Sequence, residues 1–194
     1  MSRVEIDRQN IGFPMPVALL GTRHEGRPNF MAVAWLTRVN FEPPQIAVAV
    51  GRSHASAAAV VSNGCFGLSF PSRQQLVATD YVGLVSGRTT DKSAVFPVFL
   101  GGQQAAPMAA NCPVTMECRL AESLELPTST LFVGEVVKVY AEEKYLSDGT
   151  VDLRKTDPLL LSMPDNHYWS LGAAPIGEAW SAGRGFPAPT AAAD

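Results

Sequence analysis

Twelve residues, Thr130–Ala141 (TLFVGEVVKVYA), constrain the fold more than any other stretch of the chain. β-Branched and aromatic side chains dominate this run, and such residues suit a pleated, half-buried surface. Gly134 in its middle predicts a bulge or a close backbone approach. Shorter runs repeat the signal. Met15–Gly21 (MPVALLG) lies between Pro14 and Gly21, and turn chemistry around Gly26 and Pro28 pairs it with Phe30–Arg38 as a hairpin. Pro43 and Pro44 then break the chain before a buried strand, Gln45–Val50. Cys65–Phe70 and Val114–Leu120 read as further strands, and Asp148-Gly149 as a turn.

Helical signals are few. Ser53 is the expected N-cap of a short helix over His54–Ser62, stopped at Asn63-Gly64, and Ser72–Val85 is a second helix. Helices do not alternate regularly with strands, and no G-x-G-x-x-G follows a strand. A doubly wound sheet with a dinucleotide fingerprint is therefore not expected. The expected class is mainly β with short helices, built on antiparallel strands, as one domain over residues 1–180. The Pro/Gly-rich end at 181–194 reads as a flexible tail.

Charge narrows the partners. The formal net charge is −3, so no basic surplus exists to neutralise a nucleic-acid backbone. No apolar run approaches the roughly 18 residues of a membrane span, and the mixed N-terminus has no secretory apolar core. Cys65, Cys112 and Cys118 include no C-x-x-C, so reduced thiols in a cytoplasmic protein are expected. His24, His54 and His167 show no zinc-site spacing, and no metal is expected. No catalytic triad or carboxylate pair emerges.

The segments able to hold a ligand are polar and scattered. Trp35–Pro44 (WLTRVNFEPP) carries Thr37, Arg38 and Asn40, and nine residues after Pro44 a helix opens at Ser53. Free amides at a helix start attract an anion, and the hydroxyls of Ser53 and Ser56 add donors. The loop Ser86–Lys92 (SGRTTDK) adds cations, and Trp35 and Trp169 offer faces to a flat aromatic ligand. Taken singly, each has a commoner explanation: a capped helix, a solvated loop, core packing.

Together these segments resemble the flavin reductase-like family, and within it the flavoredoxin branch. The resemblance runs from about Pro14 to Trp180 as ordered blocks: 14–50, RSHAS, NGCFGLSFPS, TDYVGLVSGRTTDKS, CPVTMEC, TLFVGEVVKVYAEE and DPLLLSMPDNHYWSLG. The block ending in Pro43-Pro44 and the Asp91-Lys92-Ser93 block are the most diagnostic. The resemblance implies an FMN-binding split β-barrel, a homodimer with FMN at its interface, and electron transfer through that flavin. It implies that Trp35, Leu36 and Thr37 pass under the isoalloxazine. Arg38 and Asn40 would hold the ribityl-phosphate end, Ser53, His54 and Ser56 would bind the phosphate, and Lys92 would approach from its loop. The donor or acceptor would be NAD(P)H or a redox protein. One departure bears on that choice: many members carry a histidine just before the strand that starts TLFVGEV here, and this chain has Ser129. Serine is no acid near neutral pH, and His167 is the imidazole left to replace it. The rival expectation is a non-catalytic flavin-binding or sensing module.

Overall fold

The computed structural model describes residues 2–172, 174–177, 179 and 181; the expected tail lies, apart from Ser181, outside them. In chain order the strands and helices are β1 (Met15–Pro16), β2 (Ala18–His24), β3 (Arg27–Val33), β4 (Leu36–Asn40), β5 (Gln45–Gly51), α1 (Ala55–Asn63), β6 (Cys65–Phe70), α2 (Leu76–Leu84), β7 (Val98–Phe99), β8 (Met108–Ala109), β9 (Val114–Glu125) and β10 (Ser129–Ala141). The short elements β11 (Leu146–Ser147), β12 (Thr150–Val151), α3 (Leu153–Thr156), β13 (Leu160–Ser162) and β14 (His167–Trp169) follow.

Seven strands form one antiparallel sheet in the order β3-β2-β6-β9-β10-β5-β4. One buried cluster draws side chains from all seven, including Leu20, Val33, Leu36, Val48, Phe66 and Phe132, together with Ala57 and Val60 of α1. A flat sheet could not bring its two edges to one cluster, so the sheet curls round it as a split barrel. Its edge strands, β3 and β4, are consecutive in the chain and separated only by Ala34-Trp35. The expected single strand Phe30–Arg38 is therefore two. The chain leaves β2 at Val33 and joins β5 at Leu36, with the Ala49 amide donating to the Trp35 carbonyl at 2.9 Å. Local β propensity continues through this point; only the change of partner interrupts it.

β2 is buried on both faces. Leu20 points into the barrel, while Leu19 packs outside with Phe30, Val82 and Phe96. This second cluster seats α2 against β3 and fixes the loop that follows α2. The β2–β3 turn is tighter than expected: Glu25 and Gly26, both at positive φ, connect paired His24 and Arg27. Gly134 meets both readings of it. The β9–β10 register shifts between Val133 and Gly134, and a Cβ at 134 would press on the Phe66 ring. β9 runs to Glu125, five residues past its expected end, because β10 pairs with it there although the added residues are largely exposed. The second expected helix begins as a single 3₁₀ turn, Arg73–Gln75, with a Ser72/Gln75 capping box, before α2. All three cysteines are buried free thiols, and burial pushes Cys112 and Cys118 up to about 12.

Candidate functional site

The candidate residues fall at two places. The first is the outer face of β4, β5 and β10. In β5, Ile46, Val48 and Val50 belong to the core, which turns Ala47 and Ala49 outward beside Trp35, Thr37 and Leu131. Residues 9–13 pass over this face and leave a cavity of about 590 Å³, its walls including Ile11, Phe13, Trp35, Thr37 and Met163. Among the described residues, no charged side chain lines it. Trp35 and Thr37 are exposed, whereas Leu36 turns inward to the core and meets the cavity only as a wall.

The second place is the start of α1. The expected cap, Ser53, is corrected to His54: it occupies the N-cap position with extended backbone, and no side chain caps the helix. β5 continues to Gly51, which pairs with Ser129, and the His54 amide donates to the Gly51 carbonyl at 3.0 Å. That turn delays the helix. A Cβ at Gly51 would sit 2.8 Å from the His54 ring, which would have to move. Ser56 is buried and accepts from Asn29 Nδ2 at 3.0 Å.

The loop after α2 faces this helix start. Lys92 is 4% exposed. Its Nζ donates to the carbonyls of Val82 and Val85 at 3.1 and 3.2 Å, at the carbonyl end of α2 where a cation is favoured. Burial lowers its pKa from the usual lysine value. His54, Ser56, Gly87 and Lys92 share a narrow cavity of about 20 Å³. Arg88 Nε donates to the Ser53 carbonyl at 3.2 Å, tying loop to helix start. Asp91 accepts from the Ser93 amide at 2.9 Å and from Arg27 at 2.7 Å; those bonds, the Ser93 amide first, hold its carboxyl below the usual range.

The fold therefore brings Ser56, His54 and Lys92 together, with Ser53 beside them, and groups Trp35, Leu36 and Thr37 separately. It does not bring Arg38 and Asn40 to the helix start. They lie at the opposite end of the β4–β5 ladder, where Arg38 stacks on Phe41 at 4.9 Å and Asn40 Nδ2 donates to the Pro43 carbonyl at 2.9 Å. His167 lines neither place and is paired with Asp165 at 3.2 Å. Its neighbour Trp169 lines another cavity of about 740 Å³, which meets the first at Phe13 and Met163. Asn29 was missed by sequence reasoning. It lies in the turn-rich stretch before β3's apolar run, and no local signal marks it as Ser56's partner. Among the described residues, no cluster of His, Cys, Asp and Glu could hold a metal ion, and no helix is long and apolar enough to cross a membrane.

Comparison with known proteins identifies the fold and the family. Residues 10–162 match the family described as flavin reductase like domain. The flavoredoxin of Methanosarcina acetivorans superposes with a TM-score of 0.92 at 44% identity, covering 95% of this chain and 98% of that one. The flavoredoxin of Desulfovibrio vulgaris (Miyazaki F) gives 0.86 at 31%, covering 95% and 100%. An uncharacterised protein of Escherichia coli K12, YddH, is 38% identical over 128 residues, which is 63% of this chain and 67% of the relative.

Proposed function

The chain belongs to the flavin reductase-like family of flavoproteins, and from that premise we propose that it binds FMN as a homodimer and passes electrons through the bound flavin. The observation that carries this reading is the start of α1. Its first turn has no side-chain cap, yet His54, Ser56 and Lys92 close round it. Orphan amides, a hydroxyl and an ammonium group in one corner suit a phosphate. The likeness to flavoredoxins over nearly the whole chain adds weight to a flavin cofactor.

In this reading Ser53, His54, Ser56 and Lys92 hold the phosphate, and Trp35, Leu36 and Thr37 lie along the ring system. Bound flavin supplies reversible uptake of a hydride or of single electrons. The chain's own part is to bind, to orient and to keep water from an apolar wall. Among the described residues, no side chain lining the cavity beside Trp35 is a carboxylate, imidazole, lysine or arginine. Ser129 at the position of the family's histidine favours exchange of electrons with a redox protein over reduction by NAD(P)H. Arg38 and Asn40 take no part in the phosphate corner.

A second copy is part of the proposal because the face beside the cavity is apolar and open. Trp35 is 54% exposed and Phe41 79%, with Val39 nearby and Leu124 on β9. Open patches of this kind mark association surfaces. The test is an absorption spectrum of the purified protein after FMN addition and desalting, with gel filtration alongside. About one flavin per subunit on a dimer is the expected result, with dithionite reduction and air reoxidation reversible. Failure to cycle would leave the binding-module reading, and steady turnover of NADH above the free-flavin rate would favour a reductase.

A further inference from the structure

We propose that the cavity between residues 10–14 and the β13–β14 hairpin is a second binding site, one that takes a flat aromatic ring carrying a protonated amine or amidine. Only the placing of that ring beside a flavin rests on the reading given above; the site itself is argued from its own walls.

The cavity encloses about 740 Å³, well inside the roughly 300–1,000 Å³ typical of ligand pockets. Two short strands build it. β13 pairs with β1 on one side and with β14 on the other, which sets Leu160 opposite Trp169 and Ser162 opposite His167. Phe13 and Pro14, which precede β1, add apolar wall, as does Met163 in the β13–β14 turn.

Trp169 supplies the face. It is 54% exposed, yet its indole is held, because Nε1 donates to Ser162 Oγ at 2.6 Å. A large aromatic ring left half open, with its N–H already used, offers a stacking surface rather than a hydrogen bond. Phe13 lines both this cavity and the one beside Trp35, so a ring held here adjoins a flavin held there.

Asp165 supplies the charge. Among the described residues that line the cavity, it alone is charged. Ser162 Oγ donates to its Oδ1 at 2.6 Å, and His167 Nδ1 stands 3.2 Å from its Oδ2. The Ser162 bond chiefly, and His167 after it, hold the carboxyl below the usual range, so it is ionised at neutral pH. Each oxygen keeps acceptor capacity for a ligand N–H. An anion entering the cavity meets a carboxylate and no lining cation, whereas a cation gains both the carboxylate and the indole face. Asp165 is half exposed, so its pull is modest.

The experiment titrates benzamidine, benzamide and benzoate, one shape in three charge states, into the protein with and without added FMN. Calorimetry at about pH 8, where carboxylates are ionised, reads the binding. The wild type is compared with Asp165→Asn and Trp169→Leu. Asp148→Asn, in the β11–β12 turn, serves as the charge control and circular dichroism as the folding check. The expected result is benzamidine bound about tenfold tighter than benzoate, with benzamide between them. Asp165→Asn brings benzamidine within about twofold of benzamide, and Trp169→Leu weakens both by about fivefold or more. Asp148→Asn changes neither, and benzamidine shifts the visible flavin band of the FMN-loaded protein. Benzoate binding as tightly as benzamidine overturns the site. So does a benzamidine preference that outlives Asp165→Asn, or no saturation by benzamidine up to about 10 mM. A flavin band that stays unmoved overturns the adjacency. The flavin reading fails separately, when no FMN is retained, and the flavin-free titration then still decides the cavity.

Discussion

The cavity beside Trp35 and the corner beside Lys92 are made from the same curled sheet, yet they differ in almost every physical respect. The first is roomy, with walls that are apolar and uncharged. Its floor is the outward face of strands whose inward face is core, so alternation along β5 and β10 shapes it. The second is nearly filled, at about 20 Å³, and its groups come from a helix start, a buried amide on β3 and a lysine that also holds the end of α2. The first can change side chains at little cost to the fold. The second cannot, because its polar groups already hold the fold together: Asn29 bonds Ser56, and Lys92 bonds the Val82 and Val85 carbonyls. In the proposed reading, a ligand with a flat ring and an anionic end would use both, the ring at the uncharged wall and the anion at the helix start.

The sharpest way to break this contrast is Lys92→Met. It removes two charge-assisted bonds, one to the buried Val82 carbonyl and one to the part-buried Val85 carbonyl, so urea melts should show a loss of about 2–3 kcal/mol, and FMN should lose at least about tenfold in affinity while riboflavin loses less. Equal losses for the two flavins would mean that Lys92 serves α2 alone. Trp35→Ala probes the other region. Its side chain is exposed, so stability should move by no more than about 0.5 kcal/mol. Riboflavin and FMN should both weaken by about 0.5–1.5 kcal/mol, because a ring contact ignores the phosphate. A loss confined to FMN would place Trp35 on the wrong side of the comparison.

Asn29→Ala sharpens the polar side. Losing its bond to Ser56 should cost about 1 kcal/mol in melts, and FMN should weaken while riboflavin holds. The smallest effect concerns acid. The Asp91 pKa in the folded protein lies below the ordinary 3.8, chiefly because of the Ser93 amide. Its contribution is thus present above the ordinary value and lost as pH falls through the lowered one. An acid titration of Asp91→Asn should run flatter than the wild type below about pH 4, and identical curves would show that the loop draws nothing from that charge.

Much of the scaffold was legible along the chain. Cys65–Phe70 is β6 to the residue, and β10 begins one residue before its expected start. Gly134 carries both a bulge and a close approach, as expected of a glycine inside so strong a strand. These features rest on alternation and turn chemistry, which are local. The misreadings share a cause. Phe30–Arg38 splits because the chain changes partner at Ala34-Trp35, and Ser53 misses the cap because pairing of Gly51 with Ser129 prolongs β5. Lys92 stood in what reads as a polar surface loop, yet it is among the most buried charged groups. Its burial depends on the end of α2, which is placed by packing of Val82 against Leu19, Phe30 and Phe96. Arg38 and Asn40, given to the ribityl-phosphate end by the resemblance, stand at the far end of the β4–β5 ladder from the helix start, a placement that strand direction decides.

By itself, the order of residues determined that the chain would be a strand-built domain, where most strands lie, and which family its blocks resemble, because side-chain period and turn preference act over a few neighbours. Tertiary structure alone decided which polar groups meet. Asn29, Ser56 and Lys92 are separated by 27 and 36 residues, and only curling of the sheet round one core, with α2 pinned to its outer face, removes them from water in the same corner. Burial and charge pairing are properties of that arrangement, since each depends on what the rest of the chain places alongside.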